Sequence, residues 1–484
     1  MSMKFMLRLG VCALAVAATA VACGDDDDPE TDATPDTEIN DLTLLRQVLD
    51  TNADIALAAY SDSVTTAEAL RTAIMNLNTN PTTANLEAAR DAWLVAREPY
   101  GQTEVYRFRA SPIDDTDYNP ANGEDGPEGN INAWPLGEGL IDYVVSGTGF
   151  GDAELVASES AVELSGAANI IASTVTIDAT LLSNTATAED ERDVIAGYHA
   201  IEFLLWGQDI NVTGDAAGST RDNTPGQRPV TDFDPSNCTN GTAVAVDGTP
   251  CQRRQTYLMA AVNDLITNLE QVRDGWATGA SYRTAFTTVS TVDEGKAKLL
   301  EILVGMGTLS EGELGGERMQ ISLSANSQED EHSCFADNTH RDIFLNHEGV
   351  ANSFFGVYAG YDSTLDGSDD VTTRAVNGYG FDDYLSDVGL SSLNSDVAAA
   401  LNATTTNVTA IDTLARGGTP VDLQIVNASG NDAAAMRDSI VSLNAQSSQI
   451  AQIAIQLGVG SATDVVDPDA SACDTTNPTV ECEE

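Results

Sequence analysis

Histidine is scarce in this chain, and its few positions are the first indication of chemistry. The sequence contains four histidines, of which His199 lies in a strongly apolar segment and the other three lie within 332–347. His199 and Glu202 are three residues apart, so a helix places both side chains on one face. A buried imidazole and a buried carboxylate are costly unless each has a partner. The pair therefore predicts either a mutual hydrogen bond or a metal ion held by both side chains.

Three further segments carry side chains that could complete a metal site, because carboxylates recur at helical spacing among apolar residues. The candidate ligands are Glu104, Glu313, Glu317, His332, Asp337 and His340, and the candidate supporting polar side chains are Arg97, Tyr100, Arg107 and Arg318. Each segment alone could equally form a buried ion pair or a solvated face. Taken together, acidic oxygens and imidazole nitrogens suit iron, zinc or manganese better than calcium.

The composition excludes several classes of function. The chain has 75 acidic and 22 basic residues and a formal charge of -53. Such a surface repels phosphate backbones, which rules out nucleic acid as a partner, and it concentrates cations. Adaptation to high salt would produce the same balance. The sequence also lacks the phosphate-binding motif G-x-x-x-x-G-K-S/T, the nucleophile motif G-x-S-x-G and the zinc motif H-E-x-x-H.

Residues 1–22 have the pattern of a secretory signal. A basic start precedes the apolar run Leu9 to Ala22, which is shorter than the roughly 20 residues needed to span a bilayer. Ala20-Val21-Ala22-Cys23 resembles a bacterial lipobox, which predicts lipid attachment at Cys23. Residues 23–40 follow as an acidic, disordered tether. We therefore expect an exported lipoprotein of the cell envelope, periplasmic or in the outer membrane, with a secreted soluble protein as the alternative.

Cysteine usage agrees with export to an oxidising compartment. Beyond the signal, two close pairs, Cys238 with Cys251 and Cys473 with Cys482, can each close a short loop as a disulfide. Cys334 is left over, and it fits either a buried apolar thiol or a metal ligand.

Helical periodicity dominates the mature chain. Apolar residues recur at i, i+3 and i+4 over 42–79, 83–110, 186–207, 253–276, 293–322, 389–415 and 432–457, and Gly, Pro and Asp cluster in predicted loops at 111–139, 211–252 and 360–382. This pattern predicts an all-α protein of two helical-bundle halves packed together, residues 41–210 and 253–458. The loop 211–252 separates the halves, and a tail, 459–484, is pinned by the second cysteine pair.

Three stretches of sequence carry a family resemblance. They are Gly197 to Asp209 (GYHAIEFLLWGQD), Ala96 to Phe108 (AREPYGQTEVYRF) and Leu309 to Met319 (LSEGELGGERM). Together they resemble the imelysin family, and most closely its iron-regulated protein A group. The resemblance extends from about residue 42 to 457, and the segments around Trp134 and Cys334 add further agreement.

The resemblance implies an α-helical fold of two bundle-like halves with a site between them, in an exported protein connected with bacterial iron acquisition. It also implies that His199 and Glu202 are metal ligands, and the family carries an old metallopeptidase label. An H-x-x-E pair with a distant histidine, His332 or His340, matches the ligand spacing of metallocarboxypeptidases. Those enzymes have an α/β fold, so the analogy does not carry their chemistry across.

Three hypotheses about function follow, and we favour binding over catalysis. The first is a protein that captures iron, as Fe²⁺ or Fe³⁺, through His199, Glu202 and neighbouring carboxylates, and passes it to a membrane transporter or receptor of an iron-uptake system. The second is a zinc-dependent metallopeptidase that uses the same pair, with Glu313 or Glu317 as the base. The third is a non-catalytic surface scaffold, in which His199 and Glu202 only hold the two halves together.

Overall fold

The computed structural model describes residues 39–117, 126–144, 162, 164–185, 194–210, 221–466, 471 and 473–482. The signal segment, the predicted lipidation site Cys23 and nearly all of the acidic tether lie outside the described residues. Within the described ranges, no helix combines the length and the apolar character that crossing a bilayer requires.

Helices form nearly all of the regular structure, which confirms the predicted all-α class. The α-helices are α1 (Leu42–Thr79), α2 (Thr83–Gly101), α3 (Glu128–Ile131), α4 (Glu138–Ile141), α5 (Ala179–Thr185), α6 (Gly197–Trp206), α7 (Thr249–Trp276), α8 (Ser281–Thr287), α9 (Val292–Thr308), α10 (Ile321–Ala325), α11 (Thr339–Phe355), α12 (Phe381–Asp387), α13 (Ser391–Arg416), α14 (Val421–Gln424), α15 (Ala434–Leu457) and α16 (Ala462–Val465). Short 3-10 turns cover Glu104–Tyr106 and Val230–Phe233, and a π-helix covers Leu309–Gln320. The strands β1 (Val357–Tyr358) and β2 (Val376–Asn377) pair antiparallel, with Val357 opposite Asn377.

The longest helices begin and end close to where the sequence pattern predicts. α1 covers the predicted range, and the Asp41 side chain caps its start by accepting a hydrogen bond from the Thr43 amide at 2.7 Å. α9 starts with a capping box, in which the side chains of Thr291 and Glu294 each accept a hydrogen bond from the other's backbone amide. α7, α13 and α15 also lie within a few residues of their predicted bounds. Each of these helices has an apolar face, and that signal is local in the sequence.

One predicted helix, 293–322, changes its pitch halfway. α9 ends at Thr308, the π-helix follows, and α10 continues to Ala325. A π-helix joins residue i to residue i+5, so it brings Arg318 beside Glu313, with 2.8 Å between Nη2 and Oε1. Gly316 lies against the C-terminal tail, where a Cβ would come within 2.3 Å of Ser471 Oγ. The wider turn therefore changes which charged side chains meet.

The helix predicted over 83–110 is shorter than expected. α2 ends at Gly101, and Pro99 in its last turn has no backbone amide to donate. Glu104 therefore lies in a separate 3-10 turn and not on the face of α2, although its side chain is only 1% exposed. α11 is the opposite case, a helix that the periodicity did not predict. Its buried residues include polar ones such as Arg341 and Asp342, which mask the apolar face.

The N-terminal and C-terminal helices pack together through the interior. α1 lies against α2, α7 and α8, and it also contacts α9, α11 and α12. α13 packs on α15 and α11, and α15 packs on the π-helix and α9. One hydrophobic core includes buried residues from α1 to α16. The division into two halves at 211–252 remains a prediction.

Both pairs of cysteines proposed from the sequence are disulfides in the structure. They join Cys238 to Cys251 and Cys473 to Cys482. Cys334 is a free and buried thiol, and burial raises its pKa well above the usual value. The thiolate that a metal ligand requires is therefore disfavoured at this position.

Candidate metal-binding site

α6 carries the first histidine into the interior, because the helix is buried along its whole length. Gly197 begins α6 with φ 78°, and a Cβ at this position would come within 2.4 Å of the Ile131 carbonyl oxygen. Glycine is the residue that adopts this conformation without strain and leaves room for the carbonyl group. The placement of His199 therefore depends on the glycine two residues before it.

His199 and Glu202 are fully buried and bonded to each other. His199 Nδ1 lies 2.9 Å from Glu202 Oε2, and Glu202 Oε1 accepts a hydrogen bond from the Ala336 backbone amide at 2.9 Å. Because both oxygens of Glu202 are engaged, this side chain orients the imidazole. His199 Nε2 is buried and has no hydrogen-bond partner among the described residues.

The His332 ring, like that of His199, has its Nδ1 beside a carboxyl group. Its Nδ1 lies 2.9 Å from Asp342 Oδ2, which leaves Nε2 for another partner. Asp342 is itself held by Arg97, whose Nε and Nη2 donate to Oδ1 at 3.2 and 3.0 Å, and by the Ser333 hydroxyl. A buried arginine thus fixes the carboxylate that fixes the second imidazole.

The two imidazoles are neighbours. Their ring centroids are 4.6 Å apart with the planes at 79°, and the Trp134 indole packs edge-on at 4.9 Å from the His199 ring. Each Nδ1 is tied to a carboxylate, so the two Nε2 atoms are the nitrogens that remain for a ligand. A carboxylate on the far nitrogen is the usual support of a metal-bound histidine.

Asn132 connects the histidines to a third carboxylate. Its Nδ2 donates to Glu104 Oε1 at 3.2 Å and lies 3.4 Å from His332 Nε2, while its Oδ1 accepts a hydrogen bond from Arg97. The amide nitrogen therefore lies between a carboxylate oxygen and an imidazole nitrogen, two atoms that attract positive charge.

A polar cavity of about 420 Å³ opens beside His332. It is lined by Arg107, Glu128, Asn132, Ala133, Trp134, Pro135, Glu313, Glu317, Arg318, Ile321, Asp330 and His332. Arg318 Nη2 donates to Glu104 and to Glu313, both at 2.8 Å, and Arg107 Nη1 lies 3.3 Å from Glu104 Oε2. Arginines and carboxylates alternate on the wall, and the carboxylates outnumber the arginines.

Burial keeps both imidazoles neutral. It lowers the pKa of His199 well below the usual value, and the nearby His332 adds to this effect. It also lowers the pKa of His332 to about 4, with further lowering from the positive charge of Arg318. Neutral imidazole is the form that binds a metal ion.

The two buried glutamates of the site differ in protonation. Burial raises the pKa of Glu202 well above its usual value, and the negative charge of Asp342 raises it further. Burial acts in the same direction at Glu104, but Arg318 and Arg107 outweigh it and lower the pKa to about 2. Glu104 is therefore ionised at neutral pH. At Glu202 burial favours the protonated form in the absence of a cation, and a metal ion at His199 Nε2 would require the proton on Nδ1 and the carboxylate form of Glu202.

The other residues proposed from the sequence fall in two places. Tyr100 is buried beside this site, where its ring lies 4.9 Å from that of Tyr198. Asp337 and His340 line a different cavity of about 270 Å³, and His340 Nε2 lies 3.6 Å from Asp412 Oδ1. They are not brought to the paired imidazoles.

Two residues of the site are missed by sequence reasoning. Asp342 lies in the unpredicted helix α11, and its partner Arg97 is 245 residues away. Asn132 belongs to the segment around Trp134 that carries part of the family resemblance, which is the signal that could have identified it.

The atoms at the site are of the types that bind a metal ion, but there are too few of them to complete a coordination shell. Two neutral nitrogens with carboxylate support are present, and the Glu104 carboxylate lies behind the Asn132 amide. In the part of the chain that the structure describes, no group of three or more His, Cys, Asp or Glu side chains is arranged to hold a metal ion. Binding here would need a further ligand, either Glu104 after the Asn132 amide moves or an atom of the bound species.

Comparison with known proteins identifies relatives of this chain. An iron-regulated protein A from Synechococcus elongatus is 35% identical over 82 residues, which are 17% of this chain and 20% of that protein. A crystal structure described as an iron-regulated protein A precursor from Parabacteroides distasonis has a TM-score of 0.53 at 16% identity, over 84% of this chain and 95% of that one. An imelysin-like protein from Psychrobacter arcticum has a TM-score of 0.50 at 17% identity, over 87% and 98% respectively.

The structural likenesses show a shared helical fold, because their sequence identities are low. The family follows from a different match, in which the imelysin model, a peptidase family labelled M75, covers residues 56–450. On that match over most of its length, this chain belongs to the imelysin family.

Proposed function

We propose that this protein is an iron-related, metal-binding imelysin of the bacterial cell envelope. The observation that carries the proposal is the pair of neighbouring imidazoles, each tied through Nδ1 to a carboxylate. Iron enters the proposal from the names of two relatives, both iron-regulated protein A. Imidazole nitrogens with carboxylate oxygens suit Fe²⁺ or Fe³⁺, with Zn²⁺ as the alternative.

In this proposal His199 and His332 bind the metal through Nε2, and Glu104, whose Oε1 accepts a hydrogen bond from the Asn132 amide beside His332, would be the third ligand. Glu202 is a positioning residue and not a ligand, because its oxygens are engaged by His199 Nδ1 and the Ala336 amide. Glu313 and Glu317, on the cavity wall, would face a larger bound species such as a hydrated or chelated ion.

The N-terminal pattern extends the proposal to location and partners. A lipid on Cys23 would anchor the protein in the cell envelope, and the anchor would be its contact with the membrane. From there it would pass iron to a membrane transporter or receptor of an iron-uptake system. The formal charge of -53 supports capture of cations and argues against nucleic acid as a partner.

Elemental analysis and iron titration of the purified protein test the proposal. The wild type should hold one equivalent of iron, and a His199→Ala/His332→Ala variant should hold none at this site. His340→Ala is the matched control, because it removes a histidine of the same region that lines the other cavity. The acidic tether is common to all three proteins, so its weak cation binding cancels in the comparison.

Unchanged iron stoichiometry in the double variant would contradict the assignment. Circular dichroism checks that the variant is folded, and His199→Gln/His332→Gln replaces it if truncation to alanine prevents folding. A variant that melts at a lower temperature, together with a wild type whose melting temperature does not respond to metal, would instead support the scaffold hypothesis.

A zinc peptidase is the second candidate, favoured by the peptidase label of the family and by the cavity beside His332. A general base works best with a pKa near the working pH. Burial acts to raise the pKa of Glu313, but Arg318 and Arg107 outweigh it and lower the pKa, which makes Glu313 a weak base. Chelator-sensitive cleavage of an unstructured substrate, lost in Glu317→Gln while zinc stays bound, would support a peptidase.

A further inference from the structure

A third cavity lies apart from the two cavities described above. Its volume is about 510 Å³, and none of the described residues that line it lines either of the other two. We name it the apolar pocket. It is bounded by Trp206 at the end of α6, by the segments 227–231 and 237–245, and by Tyr143 and Ile210. Ligand sites in proteins are mostly apolar cavities of about 300–1,000 Å³, so this pocket has the size for a small organic molecule.

The apolar pocket differs from the other two cavities in charge. Two carboxylates line the cavity of about 270 Å³, and four line the cavity of about 420 Å³. Among the described residues that line the apolar pocket there is no carboxylate, although the chain has 75 acidic residues. A cavity without carboxylates does not concentrate cations, so the apolar pocket is unsuited to the metal capture proposed above.

The charged residue in the described lining is Arg228, and its charge is compensated. Arg228 Nη1 donates to Asp142 Oδ2 at 2.6 Å and lies 3.4 Å from Asp232 Oδ2. Arg254 Nε donates to the same Asp142 oxygen at 2.6 Å. The side chain of Arg228 is fully buried, so it presents no exposed cation to a ligand. Two arginines and two aspartates balance, which makes these surroundings of the apolar pocket electrically neutral.

The segment from Ala243 to Val246 leaves space that its own side chains could fill. Ala243 and Ala245 line the apolar pocket, whereas Val244 and Val246 are 71% and 41% exposed. Burial favours the larger apolar side chain, because it removes more apolar area from water. Packing alone would therefore place the valines inside and the alanines outside. The observed order keeps the pocket open, as expected if a ligand occupies the space.

The rim of the apolar pocket is held in place by the protein itself. The disulfide between Cys238 and Cys251 closes the loop that carries this rim, and the Val246 amide donates to the Cys238 carbonyl oxygen at 2.8 Å. Gly241 packs against the Tyr143 ring, where a Cβ would come within 2.8 Å of Cδ2. A preformed site avoids the cost of ordering a loop when a ligand binds.

We propose that the apolar pocket binds an uncharged aromatic molecule of one or two rings. A ring placed against Trp206, Ile210 and Pro229 would be removed from water, and the aromatic contact adds to that gain. A charged ligand would leave water without gaining a counter-charge. Gln227 and Asn237, exposed at the rim, offer hydrogen bonds to a hydroxyl or carbonyl group of the ligand. This inference does not depend on the proposed function.

Two fluorescent probes with one skeleton test the proposal on the purified full chain. N-phenyl-1-naphthylamine is uncharged, and 8-anilinonaphthalene-1-sulfonate is the same skeleton with a sulfonate group. Titration in about 0.3 M NaCl screens the net charge of the chain. The uncharged probe should bind saturably at one equivalent, with a Kd about tenfold or more below that of the sulfonate.

Substitutions in one exposed segment locate the binding. Ala243→Trp/Ala245→Trp should fill the apolar pocket and weaken binding of N-phenyl-1-naphthylamine about tenfold or more. Val244→Trp is the matched control, because it adds an indole on the solvent side of the same segment and should leave the Kd unchanged. His199→Ala/His332→Ala should also bind the probe as the wild type does, which separates this pocket from the candidate metal site. If circular dichroism shows that the double tryptophan variant does not fold, Ala245→Trp alone is titrated with the same expected loss.

Three results would overturn the proposal. They are a wild type that does not bind the uncharged probe saturably, an Ala243→Trp/Ala245→Trp variant that binds it as the wild type does, and an equal loss of binding in Val244→Trp. A sulfonate probe that binds as tightly as the uncharged one would refute the choice of an uncharged ligand.

Discussion

Asp342→Asn keeps the shape of the side chain and removes a charge that holds the candidate site together. Asp342 accepts hydrogen bonds from Arg97 Nε and Nη2, from the His332 ring and from Ser333. The side chains of Arg97 and Asp342 are each 1% exposed, so water cannot replace the lost carboxylate. The remaining side-chain hydrogen-bond partner of Arg97 in the described ranges is the neutral amide of Asn132.

The burial of this ion pair sets the size of the effect. Removing one partner of a buried pair costs about 3–5 kcal/mol, whereas exposed pairs contribute about 0–1 kcal/mol. We therefore expect Asp342→Asn to lower the free energy of unfolding by about 3–5 kcal/mol at pH 7. The control Asp438→Asn, which neutralises an exposed residue, should change it by about 0.5 kcal/mol or less.

The loss should also depend on pH in a defined direction. Burial acts to raise the pKa of Asp342, but Arg97 and His332 outweigh it and hold the pKa well below its usual value. A carboxyl with a lower pKa in the folded state stabilises the protein above its unfolded pKa of about 4, and this stabilisation is lost as the pH falls. The difference between wild type and variant should therefore be constant near neutral pH and narrow below about pH 4.

Urea denaturation followed by tryptophan fluorescence measures both effects, at pH 7 and at about pH 3.5. Two results would refute the reasoning. One is a loss below about 1 kcal/mol at pH 7, which would mean that the pair contributes no more than an exposed one. The other is a difference in unfolding free energy between wild type and variant that does not become smaller at about pH 3.5. That result would mean that the charge of Asp342 is not the cause of the lost stability.

Four further variants probe other parts of the molecule. Glu202→Gln should alter the free energy of unfolding by less than about 1 kcal/mol at pH 7, because burial favours the protonated carboxyl. Glu104→Gln should lower it by about 3–5 kcal/mol, because the change removes an ionised partner of two arginines. Equal losses of the two variants in urea denaturation would contradict this contrast. Gly197→Ala should lower stability by about 3 kcal/mol or more and weaken iron binding, since φ is 78° and a Cβ would meet a carbonyl oxygen at 2.4 Å; an unchanged melting temperature would argue against it. Cys473→Ser/Cys482→Ser should cost about 2–3 kcal/mol, as expected for a short loop, measured as a lower urea midpoint than the wild type under oxidising conditions.

Much of the fold could be predicted because the long helices carry their own signal. α1 and α13 each repeat an apolar face over many turns, so their ranges follow from the sequence almost without error. The π-helix between α9 and α10 was not predicted, because its buried apolar residues Leu309, Leu314 and Met319 recur every five positions and a search for i, i+3 and i+4 spacing does not detect that interval. α11 was not predicted for a different reason: several of its buried residues are polar, so its buried face does not stand out as an apolar repeat.

Several residues of the candidate site could be predicted from the sequence, but their hydrogen-bond and ion-pair partners could not. The scarcity of histidine and the motif around His199 pointed to α6, the helix that carries one of the two neighbouring imidazoles of the candidate site. In the structure Glu202 bonds to Nδ1 of the His199 ring, and i, i+3 spacing alone cannot distinguish this bond from a metal site shared by the two side chains. The partner of His332 is Asp342, and that of Glu104 is Arg318, 214 residues further along the chain. Such pairs are set by packing of distant helices, which no local pattern encodes.

The long reach of these ion pairs has a consequence for how the protein folds. Arg97 and Glu98 find their charged partners 245 and 243 residues later in the chain. Until those later helices have docked, the first part of the chain carries charges that it cannot bury without a counterion. Closing such large loops is slow, so we expect the later helices to dock late in folding and in one cooperative step. A fragment that ends at residue 210 should therefore stay loosely packed, and the site should form only when the complete chain is present.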